Sequence, residues 1–169
     1  MIDAASGLSF GKRSLSRIYT EVELPDMAFK YDHYLFNASY NYVDLSFDEN
    51  ALWAVYRYEH EHYLVAVQLN YNTLDIQKTW NLTEVSHYDV GNTFVICGTL
   101  YLVDNAYDLQ SHVSRGFDFY REKWRHLKNV YWKNLHKNTN MAAYNRYDKL
   151  IYVTDHGYYF TVEADLKWR

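Results

Sequence analysis

Glu59-His60-Glu61-His62 sets four metal-capable side chains in a row, so zinc is the first chemistry to weigh. Zinc needs three or four converging ligands, with His pairs spaced to reach one point. His60 and His62 share a face of an extended segment, but no third ligand stands near them in sequence. The cluster reads as the wet tip of a hairpin. Asp44 and Asp48 come next. Two carboxylates are the acid and base, or acid and nucleophile, of a glycosidase, and the same residues serve equally in turns or around a cation. Cys97, the single cysteine, lies in "VICGTL". A thiol in an apolar run is an inert structural group, and one cysteine cannot staple the chain to itself. Neither Gly-x-Ser-x-Gly, nor a phosphate loop, nor His-Glu-x-x-His occurs, so the familiar nucleophilic and zinc hydrolase signatures are absent.

Two patterns concern surfaces. Asn37-Ala38-Ser39 and Asn81-Leu82-Thr83 are acceptor sequences for N-glycosylation. Residues 115–137 hold seven Lys or Arg against two acids, while the rest of the chain holds 10 against 19. Phe117, Phe119, Tyr120, Trp124, Tyr131 and Trp132 are interleaved with those charges. A basic, aromatic segment suits a polyanion such as a glycosaminoglycan. The alternative, favoured here, is an outer blade edge whose cations discourage edge-to-edge pairing. The net charge of −4 does not suit a molecule built to hold polyanions, and no nucleic-acid partner is expected.

The elements that must position these residues are strands. The chain has 169 residues, 49% hydrophobic and 22% charged, which suits one folded domain. Aromatics reach 19%, with 19 Tyr, and such residues favour pleated, half-buried surfaces. Leu52 to Tyr58 and Tyr63 to Leu69 flank the Glu-His cluster as the arms of a hairpin. "YNTLDIQKTW" adds a polar turn and a further strand. A repeat is visible. "DLSFDENALWAVY", "DVGNTFVICGTLYLVD" and "AAYNRYDKLIYVTD" share one layout of strand, tight turn and strand. Trp53, Tyr101 and Tyr152 mark the same place in each, giving a period of roughly 50 residues that suits a propeller blade. The expected fold is all-β, with three to four blades, the start of the chain supplying a fragment. Phe117, Tyr120, Trp124, Leu127, Tyr131 and Leu135 fall at helical spacing instead, and taken alone predict an amphipathic helix. No apolar run approaches the roughly 20 residues of a membrane span. "MIDAASGLSFGKRSLSR" carries no secretory signal.

Together, "YVDLSFDENALWAVY", "LNYNTLDIQKTW", "GNTFVICGTLYLVD" and "MAAYNRYDKLIYVTDHG" resemble, in order, the motifs of the olfactomedin domain. The match covers roughly residues 42–162, so that 42–169 reads as olfactomedin-like blades and 1–41 as a loosely matching leading segment. The resemblance implies a five-bladed β-propeller, of which this chain holds an incomplete, C-terminal part. It implies strands rather than a helix at 117–135. It implies that Cys97 holds the place of a disulfide cysteine whose partner is absent from this chain. It further implies calcium in the central channel, bound by Asp44 and Asn92 with backbone carbonyls at Thr93 and Ala142. The family has a second aspartate where this chain has Ala143, a departure that weakens the site. The function implied is a non-catalytic, secreted, extracellular module for adhesion, matrix organisation or receptor binding. Its partner would be a cell-surface receptor or matrix protein, with self-association as a further expectation.

Overall fold

A computed structural model describes residues 9–13, 19–30, 33–36, 39–128 and 130–164, with 9–13 and 19–20 described by backbone alone. Among the described residues there are fourteen strands, one short 3-10 turn and no α-helix. Strands β1 (Ser9–Arg13) and β2 (Tyr19–Glu23) form an antiparallel hairpin. The first blade is the four-stranded meander β3 (Asp44–Phe47), β4 (Leu52–Tyr56), β5 (Tyr63–Leu69) and β6 (Ile76–Ser86). The 3-10 turn His87–Asp89 leads to the second blade. Its strands are β7 (Asn92–Ile96), β8 (Thr99–Val103), β9 (Gln110–Asp118), β10 (Lys123–His126) and β11 (Tyr131–Lys133). Both β10 and β11 pair with β9, at different places along it. The third blade has three strands, β12 (Thr139–Asn145), β13 (Leu150–Asp155) and β14 (Tyr158–Glu163). These sheets form an incomplete olfactomedin-type propeller.

The repeat seen in sequence is the inner hairpin of each blade. Trp53 pairs with Ser46, Tyr101 with Phe94 and Tyr152 with Ala143, each on the second strand of its blade. The first strands β3, β7 and β12 lie side by side around the axis.

Apolar faces between the blades hold this arrangement. Between the first and second blades, Trp53 stacks on Phe119 at 4.3 Å and 9°, with Trp80 and Phe117 around them. Between the second and third, Phe94, Ile96, Val113 and Trp132 meet Tyr144, Ile151 and Val153. The far face of the first blade is covered too. Leu24 and Met27, with Phe29, Tyr42 and Val43 beside them, pack on Ala54, Tyr56, Val65, Val67 and Leu69.

The helical spacing at 117–135 does not produce a helix. Phe117 ends inside β9, and Trp124 sits directly opposite it on β10, rings 5.0 Å apart. Asp118 closes the connection by accepting from the backbone N–H groups of Tyr120 and Arg121. Burying Phe117 and Phe119 between two sheets outweighs any helical preference of this segment.

Candidate functional site

Chain reversal at β3–β4, β7–β8 and β12–β13 brings three tight turns to one end of the propeller, and the first strands bring the predicted cation ligands to the axis. Asp44 opens β3, Asn92 and Thr93 open β7, and Ala142 and Ala143 lie on β12. Thr93 Oγ1 donates to Asp44 Oδ2 at 2.5 Å, joining the first blade to the second. Asn92 Oδ1 is turned back to accept from the N–H of Thr93 at 2.9 Å. Burial among the strands pushes the Asp44 carboxyl up to about 7, against the opposing hydrogen bonds from Thr93 and the Leu45 and Thr93 backbone. The Asp44 residue as a whole is half-buried.

Calcium wants six to eight oxygens, and anionic ligands set its affinity. Here one carboxylate, accepting the Thr93 hydroxyl proton, stands beside an amide oxygen that accepts from the next backbone N–H. Ala142, like Thr93, would contribute its backbone carbonyl, and Ala143 brings no side-chain oxygen. The set thus holds one side-chain carboxylate where the resemblance implies two.

The more densely bonded site lies at the β3–β4 turn. Asp48 is fully buried. Its Oδ1 accepts from Asn50 N, Ala51 N and Trp53 Nε1 at 2.9 to 3.0 Å, and its Oδ2 from Gly98 N at 2.6 Å. One aspartate thus shapes its own turn, orients the core tryptophan and seizes the turn of the second blade. Glu49, next in sequence, reaches two blades. Its Oε1 accepts from Lys149 Nζ at 2.5 Å and Tyr144 Oη at 2.8 Å, both on the third blade. Its Oε2 accepts from the Cys97 backbone N–H and Sγ, each at 3.3 Å. Burial raises the Glu49 carboxyl, but the Lys149 and Tyr144 bonds outweigh it and hold the group at about 2. Arg146 completes the junction, its Nη1 donating to Asp48 O at 3.4 Å and its guanidinium lying 3.9 Å from the Phe47 ring centroid.

Glu49, Tyr144, Arg146 and Lys149 were not singled out in sequence. The available signal was positional: a charged residue in the turn of one inner hairpin points at the equivalent turns of the others. Cys97 sits in the β7–β8 turn with φ of 50°, half-buried rather than inside a strand. Burial and the neighbouring Glu49 carboxylate push its thiol up to about 12.

The remaining candidates are scattered. Residues 59–62 do form the exposed β4–β5 connection, where the Glu59 N–H donates to Asp26 O and the His62 ring stacks on His87 at 6.2 Å. Among the described residues no group of three or more His, Cys, Asp or Glu is arranged to hold a metal ion. The 115–137 segment forms the outer edge of the second blade, and two of its cations, Arg121 and Arg125, are paired with Asp118. Asn81 is exposed on β6, whereas Asn37 lies outside the described residues. No helix among the described residues is long and apolar enough to cross a membrane.

Comparison with known proteins agrees with this architecture. The family described as olfactomedin-like domain matches residues 12–169. Myocilin of Oryctolagus cuniculus is 29% identical over 139 residues, covering 82% of this chain and 28% of the relative. Myocilin of Bos taurus is 32% identical over 129 residues, covering 76% and 26%. Human myocilin is 32% identical over 117 residues, covering 69% and 23%. The chain therefore spans about a quarter of the length of these relatives. With the family matched along nearly all of its length, and the blades and inner turns in place, the chain belongs to the olfactomedin-like domain family.

Proposed function

We propose that this chain is a non-catalytic, extracellular recognition module that engages a cell-surface receptor or matrix protein, and that it does so without calcium. The observation that carries this reading is the state of the two carboxylates an enzyme would need. Asp48 is buried with both oxygens filled by four donors, and Asp44 is bonded to Thr93 across blades. A glycosidase carboxylate must reach the sugar or a water, and these hold turns and blades together instead. The same end of the propeller carries Tyr71, Tyr120 and Tyr147, all well exposed, on the β5–β6, β9–β10 and β12–β13 turns. Tyrosine offers a large apolar face with a polar tip at low entropic cost, which is why it is favoured at protein interfaces. In an extracellular setting, a glycan at Asn81, in the middle of β6, would leave that rim free.

The test is binding of the purified chain to extracellular matrix and cell-surface preparations, beside a panel of chromogenic glycosides. Saturable binding that is lost on Tyr120→Ala and Tyr147→Ala together supports the reading. Turnover of a glycoside that disappears in Asp48→Asn overturns it. Polyanion binding by residues 115–137 is the second reading, supported by the exposed Lys123, Lys133 and Lys137. It predicts heparin retention that falls steeply with salt.

A further inference from the structure

At the end of the propeller opposite the Glu49 turn, Arg57 follows directly after β4 and is only 6% exposed. Its Nη1 donates to the carbonyl oxygens of Tyr58 and Glu61 at 3.3 and 3.4 Å. Its Nε is buried without any hydrogen-bond partner. None of the ion pairs among the described residues includes it. A guanidinium removed from water normally has a carboxylate or phosphate across its fork. The Nε side is the one that makes side-on, two-pronged contact with an oxyanion.

His87, 5% exposed at the start of the 3-10 turn, is tied to the same connection. Its Nδ1 lies 3.0 Å from Leu35 O, and its backbone N–H donates to His62 O at 2.7 Å. A carbonyl only accepts, so Nδ1 carries the proton and Nε2 presents a lone pair. That Nε2 is also buried without a partner. The guanidinium is near enough to hold the imidazole below its ordinary range, after burial as the larger cause. One buried donor and one buried acceptor are therefore left open at the same corner. The titratable groups around them are Glu59, Glu61 and His62 on the same connection, Tyr88 and Asp89 on the adjoining turn, and Asp26 across from Glu59. Glu59 supports the charge of Arg57 from a distance without pairing with it.

We propose that the Arg57–His87 corner is a binding site for a small oxyanion of the carboxylate or phosphate class. The anion accepts from the Nε–H of Arg57, and His87 takes up a proton on Nε2 and donates it to the same ligand. Both partners are more than nine-tenths buried, which shuts out the bulk of a macromolecule. A water molecule would satisfy the two hydrogen bonds but would leave the guanidinium without its counter-charge.

The experiment titrates inorganic phosphate against sodium chloride at matched ionic strength, near pH 6.5, following the melting temperature and the imidazole nitrogen signals of His87. The expected result is a saturable rise in melting temperature and a shift of His87 Nε2 to the protonated signature, both absent in Arg57→Met. That variant removes the charge at nearly unchanged volume, and it should melt no lower than the native chain in phosphate-free buffer. Should Arg57→Met fail to fold, the His87 signals of the native chain decide alone. Equal responses in phosphate and chloride, or a His87 signal that phosphate leaves unmoved, overturn the proposal. So does a native chain destabilised by Glu59→Gln as much as by Arg57→Met, since Glu59 would then be the counter-charge.

Discussion

Glu49 is one side chain in contact with two blades other than its own, and its energetics follow from its donors. Hydrogen bonds to a charged group are worth about 1.5–3 kcal/mol, and truncation leaves Lys149 unpaired as well. Glu49→Ala should cost about 2–3 kcal/mol in a denaturant melt, while a change at exposed Glu84 should cost almost nothing. The sign of the pH dependence is fixed by the direction of the shift. Glu49 is held at about 2, below its ordinary 4.5, so its stabilisation is present above that ordinary value and is lost as pH falls toward 2. Asp44 acts the other way. Its carboxyl is raised from 3.8 to about 7, so its contribution is complete in acid and is lost as pH climbs through 7. Stability measured against pH should therefore fall on both flanks, with Asp44→Asn flattening the alkaline side and Glu49→Gln the acid side. Cys97 should react slowly with a thiol reagent in the folded chain and quickly in denaturant, because a thiol pushed up to about 12 supplies almost no thiolate. Equal rates in the two states, or a covalent dimer on a non-reducing gel, would show the assignment to be wrong. Asp44 and Cys97 were legible in the sequence because motifs carry them. The Glu49 junction was not, since its partners lie 48 to 100 residues away.

At the scale of elements, the β7–β8 turn shows how closely the blades approach. Gly98 has φ of +71°, and a Cβ there would lie 2.1 Å from the Tyr120 ring. Its N–H is also the donor that Asp48 holds at 2.6 Å. Gly98→Ala should cost at least about 2 kcal/mol through strain and collision together, whereas Gly157→Ala, with open space around it, should bear the cost of its φ of +86° alone. Phe119→Ala should cost about 3–5 kcal/mol, since it removes the ring between Trp53 and Trp80. The inner hairpins could be read from sequence because each pairs a β-favouring run with a tight polar turn. The 117–135 segment could not be read from spacing alone. Phe117 and Trp124 are seven apart, which is two helical turns, and is also a cross-strand pair around a short connection. Only the sheet on the other side of Phe117 decides between them, and that sheet is contributed by residues far away in the chain.

For the whole molecule, the blades are unequally covered. The first is packed on both faces, by the second blade and by Leu24, Met27, Phe29, Tyr42 and Val43. Among the described residues the third is packed on one, through Tyr144, Ile151 and Val153, while Met141 and Tyr159 on its other face are exposed. A polypeptide of these 169 residues should accordingly self-associate at micromolar concentration. Light scattering during gel filtration checks this, and a monodisperse monomer with one sharp melt would contradict it. Calcium at about 1 mM should leave the melting temperature nearly unchanged, because ligand stabilisation grows only as concentration exceeds Kd. A rise of many degrees that Asp44→Ala abolishes would contradict that expectation. The junction at Glu49 also changes what kind of repeat protein this is. In a linear array each unit feels its immediate neighbours alone, and the units fray from the ends inward. Here the first blade also grips the third, through Glu49 to Lys149 and Tyr144 and through Arg146 to Asp48. The array is thereby joined into a loop of mutual constraints, and an end blade cannot fray without loosening the blade two places away. Amide exchange in the turns around Asn50, Gly98 and Lys149 should then share one opening free energy, and Glu49→Ala should loosen the Lys149 turn from the other two, which Asp48 still joins.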